Sequence, residues 1–150
     1  MTGLCQTIVY MNRKFLIATH GAFAKGILSS LDIITGSTEN ISTIQAYLGE
    51  DKSIEQELDT IINCGDGQSE QSEWVVFTDL LGGSITNQVL RKIPGNSVHV
   101  VAGINLPLLL EVVLADTNTP VAEVIENAVN KAREQMVYVN PLLTSKNNDR

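Results

Sequence analysis

The chain has 150 residues, of which 43% are apolar and 18% charged, and its formal net charge at pH 7 is −7. This length is that of one ordinary domain, and the composition is typical of a globular protein. Proteins that bind nucleic acid normally present a basic surface and exposed aromatic rings. An acidic chain with 5% aromatic residues is therefore not expected to bind nucleic acid.

Cysteine use and hydropathy indicate the compartment. The two cysteines, Cys5 and Cys64, do not make a disulfide framework in a chain that is long enough to form its own core. The first residues lack the charged and apolar regions of a secretory signal. The longest apolar stretch, residues 106–114, is much shorter than the roughly 20 residues that span a bilayer. We therefore expect a soluble, cytoplasmic protein.

Short apolar runs typical of buried strands alternate along the chain with segments in which apolar residues recur at helical spacing. We treat residues 1–13 as a leader, residues 14–140 as one domain and residues 141–150 as a polar tail. The predicted strands are 15–18, 41–47, 74–77 and 98–102, with a short final strand at 136–139. The predicted helices are 24–34 (capped by Gly36), 54–62, 84 up to Pro94, 106–115, and one that opens with Pro120 as its first residue and runs to 132.

Strands that alternate with helices predict an α/β fold with a mostly parallel, doubly wound sheet that is covered on both faces. Right-handed crossovers then bring the loops that follow the strands, at 19–21, 78–84 and 103–105, to the carboxyl edge of the sheet. In a doubly wound order the first and third strands are neighbours. His20 and Asp79 are therefore expected to lie close together, although 59 positions separate them.

The residues at this edge suggest phosphoryl transfer. A neutral imidazole is a good nucleophile near pH 7, and a carboxylate such as that of Asp79 fixes which nitrogen of His20 holds the proton. Gly82 and Gly83 let backbone N–H groups approach an anion, and the helix that begins near Ser84 presents its N-terminus to the same point. The sequence thus predicts a nucleophile, an orienting acid and an anion cradle in one place.

Each of these residues also has a purely structural interpretation. Asp79 alone is compatible with a turn, and Ser84 alone with a helix cap. His99, inside a predicted strand, is expected to be structural. Glu111 is assigned no role. The apolar helix at 106–114 is expected to belong to the core or to a dimer contact.

Three segments resemble the enzyme IIA domains of mannose-type bacterial phosphotransferase systems. They are 16–21 (LIATHG), 78–84 (TDLLGGS) and 102–107 (AGINLP), which stand in the family's order and spacing. Two features depart from the family pattern. Ile85 and Thr86 stand where the family usually has proline and an apolar or aromatic residue, and the stretch before Met11 is atypical. The chain also carries no attached IIB domain, so we expect IIB to be a separate polypeptide.

The resemblance implies a function and an assembly. His20 would take a phosphoryl group from the phosphocarrier HPr and pass it to enzyme IIB, which phosphorylates the incoming sugar. Asp79 would bond the ring nitrogen that is not phosphorylated, while Ser84, Gly82, Gly83 and the amide of Leu80 would hold the phosphoryl group. The resemblance also implies a three-layer α/β/α fold, a homodimer, no metal or organic cofactor, and contact with the membrane only through the permease.

Three other functions remain open from the sequence. A related phosphocarrier serves a dihydroxyacetone kinase instead of a sugar permease, although the segment 105–107 favours the sugar branch. A histidine phosphatase needs an arginine beside its nucleophile, and Thr19 occupies that position here. In a flavodoxin-like binding module without catalytic activity, His20 would be incidental.

Overall fold

The structure is a computed structural model, and it describes residues 12–49, 52–63, 72–92 and 98–145. The strands in these ranges are β1 (Asn12–His20), β2 (Ile41–Ala46), β3 (Ser72–Thr78) and β4 (Val98–Ala102). The helices are α1 (Phe23–Thr35), α2 (Ile54–Asn63), α3 (Ser84–Lys92), α4 (Leu106–Val113), α5 (Val121–Glu134) and α6 (Asn140–Ser145).

The four strands form one parallel sheet in the order β2-β1-β3-β4. The chain therefore crosses over between β2 and β3, which places β1 and β3 side by side as a doubly wound order requires. Residues 16–18 of β1 have no solvent exposure, because their strand has a neighbour on each edge and helices on each face. The predicted fold class and strand order are confirmed.

Alternate residues of the strands point to opposite faces of the sheet, and each face has its own hydrophobic core against helices. The sheet and the two sets of helices are the three layers of the fold. Phe15 and Ile17 of β1 pack with α1, α4 and α5 on one face. Leu16 and Ala18 pack with α2 and α3 on the other face. This period of two is the ordinary geometry of a strand, and the run looks continuously apolar because both faces are covered.

The amino end of β1 differs from the prediction. Asn12 and Arg13, which we assigned to the leader, are the first residues of β1, while residues 1–11 lie outside the described residues. The buried Arg13 guanidinium bonds the carboxylate of Glu73 with an Nε–Oε2 distance of 3.1 Å, and donates to the carbonyls of Asp116 and Thr119. A charged side chain is tolerated there because its donors have partners.

The carboxyl-terminal part also differs. Residues 136–139 do not form the predicted short strand: they pair with none of the described strands, and all four residues are at least 49% exposed. Residues 141–145, assigned to the polar tail, belong to α6, which begins at Asn140. Pro120 is the residue before α5 rather than its first residue. The predicted helix stop at Pro94 and the end of the tail at 146–150 lie outside the described residues.

Candidate functional site

His20 and Asp79 meet at the carboxyl edge of the sheet. His20 is the last residue of β1, and Asp79 directly follows β3, which pairs with β1 in register. The backbone N–H of His20 donates to Oδ2 of Asp79 at 2.8 Å, and Nδ1 of its ring lies 2.8 Å from the same oxygen. The two residues are therefore neighbours, as the strand order predicted.

The environment of Asp79 keeps its carboxyl group ionised. Burial of the side chain, which is 11% exposed, raises the pKa of Asp79. The hydrogen bonds from the backbone and the ring of His20, together with the charge of that ring, outweigh burial and hold the pKa below its ordinary value. A carboxylate has no proton to donate, so Nδ1 must carry the shared hydrogen. In the neutral ring the lone pair is then on Nε2.

The segment that carries His20 is held firmly. Gly21 has a φ of +56°, a left-handed conformation that glycine adopts readily, and its N–H donates to the carbonyl of Ala46 at 2.9 Å. The Thr19 hydroxyl accepts from the N–H of Ala24 at 2.8 Å in the first turn of α1. The His20 side chain is nevertheless 40% exposed. The imidazole is thus accessible on a fixed backbone.

The loop between Asp79 and α3 packs closely against the imidazole. Gly82 turns the chain with a φ of +74°. A Cβ on Gly83 would lie 3.1 Å from both the carbonyl oxygen and Cβ of Leu80, and 3.8 Å from Cε1 of His20. From the sequence, the Gly83 N–H is expected to face an anion. In the structure it instead donates a hydrogen bond within the loop, to the Leu80 carbonyl at 3.1 Å.

The N-terminus of α3 supplies further N–H groups. The first helical bond runs from the N–H of Asn87 to the carbonyl of Gly83 at 3.0 Å. The N–H groups of residues 84–86 therefore precede the first N–H that donates within the helix. They belong to the first turn, where an anion is stabilised by the amides and by the helix dipole. The start of this helix is the part of the loop that fits an anion.

Thr86 fixes the loop to the sheet. Its hydroxyl oxygen is 2.6 Å from the carbonyl oxygen of Leu80 and 2.7 Å from the hydroxyl oxygen of Thr78, and the residue is 2% exposed. Because the carbonyl carries no proton, Thr86 donates to Leu80 and accepts from Thr78. These two bonds anchor the start of α3. They do so at the point where Ile85 and Thr86 replace the proline and the apolar or aromatic residue of the family pattern described above.

One residue of the site was missed by sequence reasoning. Tyr47, taken as the end of the second strand, directly follows β2, and its hydroxyl is 3.0 Å from that of Ser84. Its ring is tilted by 31° to the imidazole of His20, with 5.6 Å between the ring centroids. The rule that parallel strands end at one edge would have found it, since β2 is the other neighbour of β1.

The remaining candidates lie elsewhere. His99 is within β4, opposite Val75, and not at the carboxyl edge. Asn105 caps α4, since its side-chain oxygen accepts from the N–H of Leu108 at 2.9 Å. Glu111 forms an exposed ion pair with Lys131 at 3.1 Å. These contacts give Asn105 and Glu111 structural roles.

The described residues contain neither a candidate metal site nor a candidate membrane span. In the part of the chain that the structure describes, no three His, Cys, Asp or Glu side chains are grouped so that they could hold a metal ion. No helix within the same residues is long and apolar enough to cross a membrane.

Comparison with known sequences finds matches to components of sugar phosphotransferase systems. The profile of a family described as the PTS (phosphotransferase system) fructose IIA component, EIIA-man, matches residues 14–129. The mannose-specific EIIAB component of the PTS from Escherichia coli strain K12 is 29% identical over 130 residues. The aligned region covers 83% of this chain and 38% of that protein. The chain thus spans well under half of the length of this curated relative.

Solved structures are similar over nearly their whole length. One from Klebsiella pneumoniae, assigned provisionally as a phosphoenolpyruvate-dependent sugar PTS permease, has a TM-score of 0.81 and 29% identity. The match covers 90% of this chain and 96% of that one. The PTS IIA protein associated with the fucose utilization operon of Streptococcus pneumoniae has a TM-score of 0.68 and 33% identity. That match covers 89% of this chain and 97% of the other.

Proposed function

The chain belongs to the family of IIA components of the sugar phosphotransferase system, and from this we propose that it is a cytoplasmic phosphoryl carrier. His20 accepts a phosphoryl group from phospho-HPr and passes it to an enzyme IIB partner, which phosphorylates the sugar during uptake. The observation that carries the proposal is the bond of 2.8 Å between Nδ1 of His20 and the ionised Asp79, because it leaves Nε2 free to react.

The incoming step is a displacement at phosphorus. The Nε2 lone pair forms the new bond, and the bond between phosphorus and the donor atom of phospho-HPr breaks with its electron pair returning to that atom. The ring of His20 then carries a positive charge together with the hydrogen on Nδ1. The Asp79 carboxylate stabilises this charge. When a nucleophile of IIB attacks phosphorus, the electron pair returns to Nε2 and the neutral ring is restored.

The phosphoryl group itself is held by the loop before α3 and by the start of that helix. In the transition state negative charge spreads over the three phosphoryl oxygens. The N–H groups of the first turn of α3 and the hydroxyl of Ser84 are donors for these oxygens, while Leu80, Gly82 and Gly83 shape the loop that presents them. In this proposal the charge on the phosphoryl oxygens is stabilised electrostatically by these donors, without a metal or organic cofactor.

Radioactive labelling tests the site assignment. With phosphoenolpyruvate, enzyme I and HPr, the chain should acquire a phosphate that is labile in acid and stable in base, and the label should leave when purified IIB is added. His20→Ala should abolish labelling, whereas His99→Ala, which removes the histidine of β4, should not. Full labelling of His20→Ala would show that another residue carries the phosphoryl group. Discharge to a dihydroxyacetone kinase but not to IIB would identify a different acceptor.

We also propose that the protein acts as a homodimer. β4 ends the sheet, so one of its edges is unpaired among the described strands. Apolar side chains in the segment 136–139 are exposed, Val137 by 49% and Val139 by 55%. Exposed apolar segments and open strand edges are features that a second copy covers.

A further inference from the structure

We propose that Tyr47 is a positioning residue of the phosphoryl-transfer site, which orients the hydroxyl of Ser84 and steadies the ring of His20. This inference rests on the proposed function, because it takes His20 as the residue that carries the phosphoryl group. Tyr47 lies one residue beyond β2, whose last residue, Ala46, is the register partner of His20. Since β2 and β3 flank β1, Tyr47 and Asp79 approach His20 from opposite sides.

The Tyr47 side chain connects the nucleophile to the start of α3. Its ring lies beside the imidazole, with 5.6 Å between centroids, and its hydroxyl oxygen is 3.0 Å from Oγ of Ser84, the first residue of the helix. Because Ser84 bonds Tyr47, its hydroxyl is oriented by the residue that directly follows β2. A single side chain thus contacts both the group that reacts and the group proposed to hold phosphate.

Counting the protons of this hydroxyl pair shows what it offers to a phosphoryl group. Tyr47 and Ser84 have one O–H hydrogen each, and the bond between them uses one. Whichever residue donates in that bond, one O–H remains for a third group. Phosphoryl oxygens that have lost their protons only accept hydrogen bonds. The pair therefore presents one donor to the phosphoryl group, at the side of the site where α3 begins.

The backbone of Tyr47 supports a role for its side chain. Tyr47 has a φ of +65° and is the one residue other than glycine with a positive φ in the described part of the chain. A bulky residue is rarely found in this conformation, which persists only where its contacts hold it. The side chain is 66% exposed, so burial in the core does not account for it. We therefore attribute the left-handed conformation of Tyr47 to its contacts with His20 and Ser84.

The decisive variant is Tyr47→Phe, which keeps the ring and removes the hydroxyl. We expect kcat for phosphoryl transfer from phospho-HPr to fall about threefold to tenfold, as for the loss of one hydrogen bond to the reacting group. KM for phospho-HPr and the melting temperature should not change, because the hydroxyl acts on the bound phosphoryl group. Ser29→Ala is the control, since it removes the hydroxyl of an exposed residue of α1 that bonds the carbonyl of Gly26, and we expect it to transfer at the normal rate. An unchanged kcat in Tyr47→Phe would overturn the proposal.

A double-mutant cycle separates a positioning role from an independent one. If Tyr47 acts through Ser84, the double variant Tyr47→Phe/Ser84→Ala should transfer no more slowly than Ser84→Ala alone. Losses that multiply in the double variant would contradict the proposal. Tyr47→Leu, which also removes the ring, should lower kcat further than Tyr47→Phe and shift the ring nitrogen resonances of His20. Unshifted resonances would contradict the contact between the rings.

A small phosphoryl donor distinguishes failure of this inference from failure of the carrier function. Phosphoramidate phosphorylates histidine without a protein donor, and the lifetime of the phosphohistidine can be followed directly. A chain labelled by phosphoramidate but not by phospho-HPr would overturn the carrier function alone. The lifetimes would still test Tyr47: the phosphohistidine should decay about threefold faster in Tyr47→Phe, and an equal lifetime would overturn its role.

Discussion

At the scale of single residues, Asp79 fixes His20 through one atom. Oδ2 accepts the backbone N–H of His20 and also bonds Nδ1 of its ring, each at 2.8 Å. The other carboxylate oxygen is buried and has no hydrogen-bond partner within the described residues. The same oxygen thus holds the end of β1 and sets the orientation of the ring, so backbone position and ring tautomer are coupled.

Asp79→Asn should separate catalysis from folding. The amide is neutral, so it no longer stabilises the positive ring that forms on phosphorylation, and it no longer excludes the wrong tautomer. We expect transfer from phospho-HPr to slow by about two orders of magnitude or more, while circular dichroism stays that of the native chain. The measurement is the rate of labelling by rapid quench. A normal rate in this variant would remove Asp79 from the mechanism.

The same variant tests the pKa of Asp79 through stability. Because the pKa is lowered in the folded chain, ionised Asp79 stabilises the fold at pH values above the unfolded pKa, and this contribution is lost as pH falls through the folded pKa. The difference in free energy of unfolding between the native chain and Asp79→Asn should therefore be constant near neutral pH and shrink below about pH 4. Urea unfolding across this range measures it. A difference that grew on acidification would contradict a lowered pKa.

At the scale of elements, α3 depends on Thr86 for its position. Thr86→Val keeps the shape and removes the hydroxyl, which leaves the Leu80 carbonyl and the Thr78 hydroxyl without this partner. We expect a loss of about 1–3 kcal/mol in the free energy of unfolding and slower phosphoryl transfer, because the start of α3 is no longer anchored. Thr60→Val, at an exposed helix position in α2, is the matched control and should change neither quantity. Normal transfer by Thr86→Val would show that the loop holds its shape without this bond.

Most elements and the pair at the centre of the site are predictable from local patterns. The apolar run at 15–18 identifies a strand covered on both faces, and the alternation of strands and helices identifies a parallel sheet. Once the strands are parallel, His20 and Asp79 must end at one edge, because each ends or directly follows a strand. To predict this part of the structure, the periodicity of apolar residues and the handedness of the crossovers are sufficient.

Other features depend on contacts between segments that no local pattern encodes. The bond between Tyr47 and Ser84 joins residues 37 positions apart and depends on how the turn after β2 is bent. The local sequence around Arg13 predicts only a polar leader. Its place in β1 depends on hydrogen-bond partners that follow it by 60 to 106 positions. The segment 136–139 has the apolar composition of a strand, but a strand also requires a neighbour to pair with.

At the scale of the whole molecule, the proposed dimer has a direct test. Val137→Asp places a charge in the exposed apolar segment and should shift the protein from dimer to monomer in sedimentation velocity at micromolar concentration, because a charge is costly to bury at an interface. Ile33→Asp, at an 85% exposed position on α1, is the control and should leave the dimer intact. A native chain that sediments as a monomer would contradict the dimer, and a dimer of Val137→Asp would contradict the role of this segment.

The separation of 59 positions between His20 and Asp79 has a consequence for incomplete chains. The acid comes to the imidazole only after β3 has joined β1, which requires two crossovers to be in place. A nascent or denatured polypeptide therefore carries an ordinary histidine, with no tautomer imposed and no amides gathered around it. Under the proposed function, such a polypeptide is not expected to accept a phosphoryl group from the donor or to compete with folded copies for it. We therefore expect the amount of label on His20 in the phosphoryl-transfer assay to measure the number of fully folded molecules.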